Sequence, residues 1–586
     1  MILQKLYLYY QRLNKNSESK IAPPGYSTEK IHFALVLNKD GNVVQVLDLR
    51  ENSGNKTFPK SLIVPESVKR TNKLSPNFLW DNSKYVLGVD KKGSERAIEC
   101  FNIFKSYHIE MGKNCSDEGY KALLSFLNNW KPEYLENLEH KEELLDSNIV
   151  FKFDEDKNLF LHERPLLKKL WMEIKSKNNS ENFSECLVTG EWQPIARIHP
   201  PIKGVGGAQS SGAAVVSFNI DSFKSYGKDQ NFNAPVGEEA AFAYTTALNH
   251  LLSKDSRQKI QIGDATTVFW TERDSPFEDY LGMALDLEST SGADNEEIYN
   301  FLNAARDGRK IEEIDPEVGF YILGLAPNAS RLSVRFWYVS TVGEIENALG
   351  QHYSDMMIDR NFPEKESEYP GIRRLLRETA VLKKAENINP LLSGAFLKSI
   401  LTGDYYPYEL LSKTLERIKA GRPRSNRRNE RIDVNYYCAS LIKGYLSRKY
   451  RKRNLRLEVN MSLNTELKDP GYLLGRLFAV VEKVQEEASS NTTIKDRYFS
   501  SASSTPRAVF PQLMRLSQYH FAKLDAGRRT NMEKLVQEIV NNINTFPAHL
   551  DLEAQGMFVL GYYQQRKALF TKKENSKEEM NDDESD

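Results

Sequence analysis

Histidine and cysteine are scarce in this 586-residue chain, with nine of the first and four of the second. The cysteines, Cys100, Cys115, Cys186 and Cys438, are scattered. None forms a C-x-x-C pair or has a histidine at ligand spacing, which excludes a sequence-legible zinc site and a disulfide framework. No histidine falls in an H-D or H-E-x-x-H pattern. His162 and His250, both in helical text, therefore read as packing or capping residues rather than bases. No apolar run is long enough to span a bilayer, and the amphipathic start MILQKLYLYYQRLNKN lacks the small-residue cleavage site of a signal peptide, so a cytoplasmic location is expected. Net charge is absent too, with 80 Lys and Arg balancing 80 Asp and Glu.

That balance hides an asymmetry. Between Lys413 and Arg456 stand fifteen basic residues against three acidic ones, interleaved with Tyr436, Tyr437, Tyr445 and Tyr450. A basic block with aromatics suits a nucleic-acid partner, although basic helical faces without a ligand are common. The C-terminal TKKENSKEEMNDDESD is acidic and reads as a disordered tail over 572–586.

The pattern of elements predicts an α+β protein. Mostly antiparallel strands are expected in the first half, in KIHFALVLNKDGNVVQVLDLRE around Asp40-Gly41, KYVLGVD, CLVTGEWQPIARIH around Thr189-Gly190, AAVVSFN, TTVFWTE, GFYILGLA and RLSVRFWYVS. Helical period takes over after about Gly343. The reading is a mixed α+β region over 1–342, a basic helical region over 343–457, and a C-terminal four-helix bundle over 458–571 with SNTTIKDRYFSSASSTP as its longest loop.

The densest chemical signal is HPPIKGVGGAQSSGAAVVSFN, residues 199–219. It is no Walker A loop, because Lys203 precedes Gly204 instead of following the last glycine. Nor do Gly204, Gly206, Gly207 and Gly212 have dinucleotide spacing, so no nucleotide cofactor, and no cofactor of any kind, is indicated. What remains is a loop able to set backbone N–H groups and Lys203 against phosphates, with Gln209, Ser210 and Ser211 near base edges; a glycine-rich connection without a ligand is the bland alternative. A second candidate is VKRTNKLSPNFLWDN, where Lys69 and Arg70 suit phosphates and Asn72, Asn77 and Asn82 suit adenine edges, unless they simply order the turn at Ser75-Pro76. Asp264 in IGDATTVFW is the best lone candidate for catalysis, and it too sits where an Asp orders a turn. The balance favours a binding protein without catalysis.

Several long phrases, in order, carry a resemblance: PESVKRTNKLSPNFLWDNSKYVLGVD, LHERPLLKKLW, CLVTGEWQPIARIHPPIKGVGGAQSSGAAVVSFN, AAFAYTTALNHLL, IGDATTVFW and YILGLAPNASRLSVRFW. Together they resemble the large subunit of the type I-C CRISPR Cascade effector complex. The resemblance runs from the N-terminus to the C-terminal helices and stops at about Lys572. It implies a non-catalytic subunit beside crRNA-containing backbone subunits, one that reads the protospacer-adjacent motif in double-stranded DNA and helps open the duplex beside the crRNA–target heteroduplex. It also implies docking of a helicase-nuclease, and a small subunit made by internal translation of the same gene, here from near Met461. Lys203 and Gly204 to Gly207 would then grip phosphates, and Gln209, Ser210 and Ser211 would lie near the pairs being read. Two other classes stay open: a metal-dependent nuclease with Asp264 and Glu272 as ligands, and a protein-only scaffold.

Overall fold

The computed structural model describes residues 2–16, 21–53, 56–68, 70, 74–177, 182–262, 264–285, 294–309, 311, 313–421, 434–455, 459–489 and 494–582. The chain divides into two compact units, one of residues 1–204, 209–253 and 329–331, the other of 205–208, 254–328 and 332–586.

In the first unit a four-stranded sheet has the order Val43–Asp48, Phe33–Leu37, Asn148–Phe153, Trp80–Asn82. FALVL is buried at all five positions, as an unbroken apolar run requires, and pairs antiparallel with Val43–Asp48 and parallel with Asn148–Phe153. The Asp40-Gly41 turn is where the sequence places it. Gly41 takes φ +82°, and a Cβ there would lie 2.3 Å from the Phe126 backbone nitrogen. Helices Glu95–Met111 and Glu118–Asn129 cover the sheet with Phe101, Phe104, Leu123 and Phe126. A separate ribbon, Tyr26–Ile31 with Lys60–Pro65, carries the segments that matter for the site. Helix Ile2–Lys15 packs on helix Glu238–Leu251, with Tyr10 edge-on to Phe242 at 5.7 Å.

The second unit begins with an antiparallel sheet in chain order, Lys259–Ile262, Ala265–Thr271, Gly319–Asn328 and Arg331–Thr341. Strands end there, as the periodicity predicts. Thr341 Oγ1 accepts from Glu344 N and Glu344 Oε2 accepts from Thr341 N, both at 3.3 Å, a capping box that starts helix Val342–Met356. The remaining described elements are helical, and one continuous apolar core runs from Ile260 to Leu569. Helices Pro470–Ala488 and Leu552–Asp582 cross closely. A Cβ on Gly475 would lie 2.0 Å from Phe558 O, and one on Gly561 would lie 2.1 Å from Tyr472 O.

Several local expectations differ from the structure. KYVLGVD is no strand: Asn82 caps a single helical turn, Ser83–Val86, and the chain turns at Gly88 with φ +70°. AAVVSFN forms only two isolated bridges, Ala213 with Ile202 and Ala214 with Arg331, because β-forming residues without a neighbouring ladder do not make a strand. The hairpin in CLVTGEWQPIARIH shrinks to Phe183–Glu185 with Trp192–Pro194. The expected long loop before Pro506 contains helix Ile494–Ala502, so the C-terminal set has five helices among the described residues. The last helix continues to Asp582, through most of the acidic segment.

Candidate nucleic-acid interface

The loop after Ile202 is a closed excursion. Ile202 N donates to Ala213 O at 2.9 Å and Ala213 N donates back at 2.8 Å, so residues 203–212 project from a paired base. Asn249, on helix Glu238–Leu251, fixes that base: its Oδ1 accepts from Lys203 N at 2.7 Å and its Nδ2 donates to Pro201 O at 3.1 Å. His199 anchors the approach from within, buried, with Nδ1 2.7 Å from Tyr244 Oη; burial pulls its pKa down to about 4. Sequence reasoning singled out His250, whereas its neighbour Asn249 holds the loop.

Gly204 takes φ +91°, and a Cβ there would lie 2.5 Å from Leu252 O. Gly206 donates its N–H to Thr266 Oγ1 at 2.9 Å, and Gly207 takes φ +76°. These glycines serve close backbone packing as well as exposure. Gln209, Ser210 and Ser211 are exposed, in a turn where Gly212 N donates to Gln209 O at 2.9 Å.

The Lys203 ammonium sits 3.1 Å from Glu29 Oε2, with its side chain 42% exposed. Glu29 Oε1 also accepts from Ser67 Oγ at 3.1 Å and Ser27 Oγ at 3.2 Å. Ser67 immediately precedes the second candidate loop, which begins at Val68. The two stretches that the sequence offers separately, around Lys203 and around Arg70, thus meet at one carboxylate on the ribbon strand Tyr26–Ile31. Nothing in the alternation of that strand marks Glu29 out.

Within the second loop the described residues are bound inward. Arg70 pairs with buried Asp81, donates from Nε to Ser75 O at 2.7 Å, and lies over the Tyr85 ring at 4.0 Å. Asn77 is 3% exposed, and its Oδ1 accepts from Val68 N at 2.9 Å. Asn82 accepts from Lys84 N at 3.3 Å. In this conformation Asn77 and Asn82 carry turn and cap chemistry. Lys69 and Asn72 lie outside the described residues.

Part of the basic block also turns inward, although Lys413, Lys452 and Arg453 stay exposed. On helix Tyr436–Lys452, Arg448 is fully buried and bonds Asp355 at 3.1 Å, Arg451 pairs with the same carboxylate, and Lys449 pairs with Glu553. Tyr436 and Tyr445 are core residues. Residues 422–433, with their five arginines, lie outside the described residues.

Asp264 and Glu272 flank strand Ala265–Thr271 at opposite ends, about 26 Å apart at strand rise, so they cannot share a metal ion. Asp264 pairs with Arg335 at 2.8 Å and Glu272 accepts from Tyr321 Oη at 3.2 Å. The nuclease reading built on these two residues is corrected accordingly. Among the described residues no cluster of His, Cys, Asp and Glu has the arrangement of a metal site. His162 is buried and stacks on Phe160. All four cysteines are free thiols. No helix among the described residues is long and apolar enough to cross a membrane.

Compared with known protein families, residues 6–570 match the one described as CRISPR-associated protein (Cas_Csd1). The chain belongs to that family. No curated protein matches the sequence. As a Cas_Csd1 member the chain takes part in a CRISPR system.

Proposed function

We propose that this chain is the non-catalytic large subunit of a type I-C Cascade complex, reading the protospacer-adjacent motif in double-stranded DNA, helping to part the strands, and offering a docking surface to a helicase-nuclease. The observation that carries the reading is the junction at Glu29, where an exposed, glycine-rich loop and the Ser67–Asn82 segment share one carboxylate. Lys203 exchanges Glu29 for a backbone phosphate. The loop then lies along the DNA, and Gln209, whose amide both donates and accepts, faces the base edges with Ser210 and Ser211. RNA pairing reads the rest of the target, so the protein needs no long base-reading surface.

Full-length protein titrated with labelled duplex should bind weakly, lose affinity steeply as salt rises, and cut nothing. Lys203→Ala should weaken binding to targets with and without the motif about equally. Gln209→Ala should narrow the difference between them, by about 1–3 kcal/mol. Salt-insensitive binding, or discrimination untouched by Gln209→Ala, counts against the reading.

The small subunit belongs to the same proposal. Met461 is 44% exposed in a segment between helices, so a start there leaves helices Pro470–Ala488 through Leu552–Asp582 whole. The piece is less self-contained than its helix pattern alone implies. Gly556 packs on Ile442, Leu446 and Leu411, and Gln564 Nε2 donates to Asn460 O at 2.8 Å. Several of its cations are also spent internally: Lys483 is buried, Arg528 bonds Glu487 twice at 2.8 Å, and Arg529 bonds Glu533 at 2.8 Å. Mass spectrometry of the assembled complex should find a fragment beginning at or near Met461, and Met461→Leu should remove it.

A further inference from the structure

Downstream of the glycine-rich loop, Ser225-Tyr226-Gly227-Lys228 forms a two-residue hairpin turn. Lys228 N donates to Ser225 O at 3.0 Å, and the two central residues take φ +50° and +67°. Glycine suits such a turn; tyrosine does not, since a bulky side chain at positive φ is costly. The strain is held by a dense set of bonds. Asn233 Oδ1 accepts from Ser225 N at 2.9 Å, while its Nδ2 donates to Lys228 O at 2.9 Å and Gln230 O at 2.8 Å. Lys224 ties Asp221 at 3.0 Å to Asp229 at 2.9 Å. The result is a rigid knuckle whose Tyr226 ring is 98% exposed. A strained aromatic residue with no packing role points to recognition.

The knuckle shares its platform with the Lys203 loop. Ala214, next to the Ile202–Ala213 closure, bridges Arg331. The Arg331 guanidinium bonds Asn219 and lies over the Phe223 ring at 4.2 Å, and Asn231 N donates to Arg197 O at 3.4 Å. Lys228, which closes the turn two residues after Tyr226, is exposed and unpaired among the described residues. An exposed aromatic ring in the same tight turn as an exposed lysine, on the same support as a phosphate-suited loop, fits a nucleobase better than an apolar protein pocket.

We propose that Tyr226 stacks on the first unpaired base where the DNA duplex parts, with Lys228 on the adjoining phosphate. This rests on the duplex-opening function proposed above and names the residue that holds the opened end. Stacking needs only the ring face, so the hydroxyl is dispensable, and Asn233 acts as a positioning residue.

The test uses the full-length protein and a forked DNA carrying 2-aminopurine as the first unpaired base, with a fully paired duplex of the same sequence alongside. Wild-type protein should quench the probe. Tyr226→Ala should abolish the quench and cost about tenfold in affinity for the fork, with little effect on the paired duplex. Tyr226→Phe should retain both readouts, and Asn233→Ala should fall between. Because the ring is exposed, Tyr226→Ala leaves folding intact. Unchanged quench and affinity in Tyr226→Ala overturn the proposal, as does equal loss in Tyr226→Phe, or loss of a protein partner with the DNA readouts preserved. If Lys203→Ala weakens duplex binding while Tyr226→Ala changes nothing, the tyrosine proposal alone fails; if wild-type protein binds neither DNA at low salt, both proposals fail.

Discussion

A buried amide and an exposed one are easily confused in sequence, and the two candidate loops contain one of each. Asn77 satisfies Val68 N from inside the fold, whereas Gln209 stands in solvent. Asn77→Ala should therefore act on stability, removing a part-buried hydrogen bond from Val68 N and the packing of a buried side chain at a cost of about 1 kcal/mol, read as a lower denaturation midpoint of the first unit. Gln209→Ala should leave that midpoint unchanged. The contrast explains how much of the site is legible. The spacing of glycines, Lys203 and the small polar residues identifies a projecting loop without any structure. Glu29, 174 residues from Lys203, is not legible, because an ion pair between a strand and a distant loop leaves no periodic trace in either. The proposal for Tyr226 is illegible for a different reason: it rests on a backbone angle and on near-complete exposure, and neither has a residue pattern.

The helical period after Gly343 is legible in the sequence, as are the strands in FALVL, TTVFWTE, GFYILGLA and RLSVRFWYVS, whereas two shorter β-rich runs mislead. KYVLGVD and AAVVSFN have strand composition, but one follows a capping asparagine and the other finds no ladder. The close crossing of Pro470–Ala488 with Leu552–Asp582 was also hidden, since a glycine inside a helix reads as a weakness until its neighbour is known. Gly475→Ala or Gly561→Ala should force these helices apart, costing about 1–3 kcal/mol or more and raising amide exchange across both. Gly394→Ala, in helix Pro390–Thr402 with open space where its Cβ would sit, is the matched control and should be neutral or slightly stabilising.

Across the first unit, burial holds His108, His162 and His199 neutral, pulling each pKa to about 4. His108 Nε2 accepts from Leu79 N at 3.0 Å and its Nδ1–H faces Phe104 O at 2.8 Å, a pairing that protonation breaks. Because the folded-state values lie below the unfolded value of about 6.5, the stabilisation is complete above that pH and is lost as pH falls toward 4, by up to about 3 kcal/mol per histidine. Denaturant midpoints of the first unit should hold between pH 8 and 7 and fall progressively between 6 and 4, and His108→Gln should flatten part of that fall.

A chain with 80 charges of each sign has no net field to draw DNA toward it, so attraction must be made locally and at contact. In the proposed DNA-bound state Lys203 would leave Glu29 for a phosphate, an internal ion exchange. When the lysine leaves for a phosphate, DNA sheds a condensed cation, but the abandoned carboxylate attracts one back. The step therefore releases less than the roughly 0.9 counterion expected for each phosphate neutralised. Glu29→Gln removes the returning ion. It should tighten binding at low salt and steepen the plot of log affinity against log salt by up to about one unit, so that the variant outperforms the native protein in dilute buffer and loses that advantage as ionic strength rises.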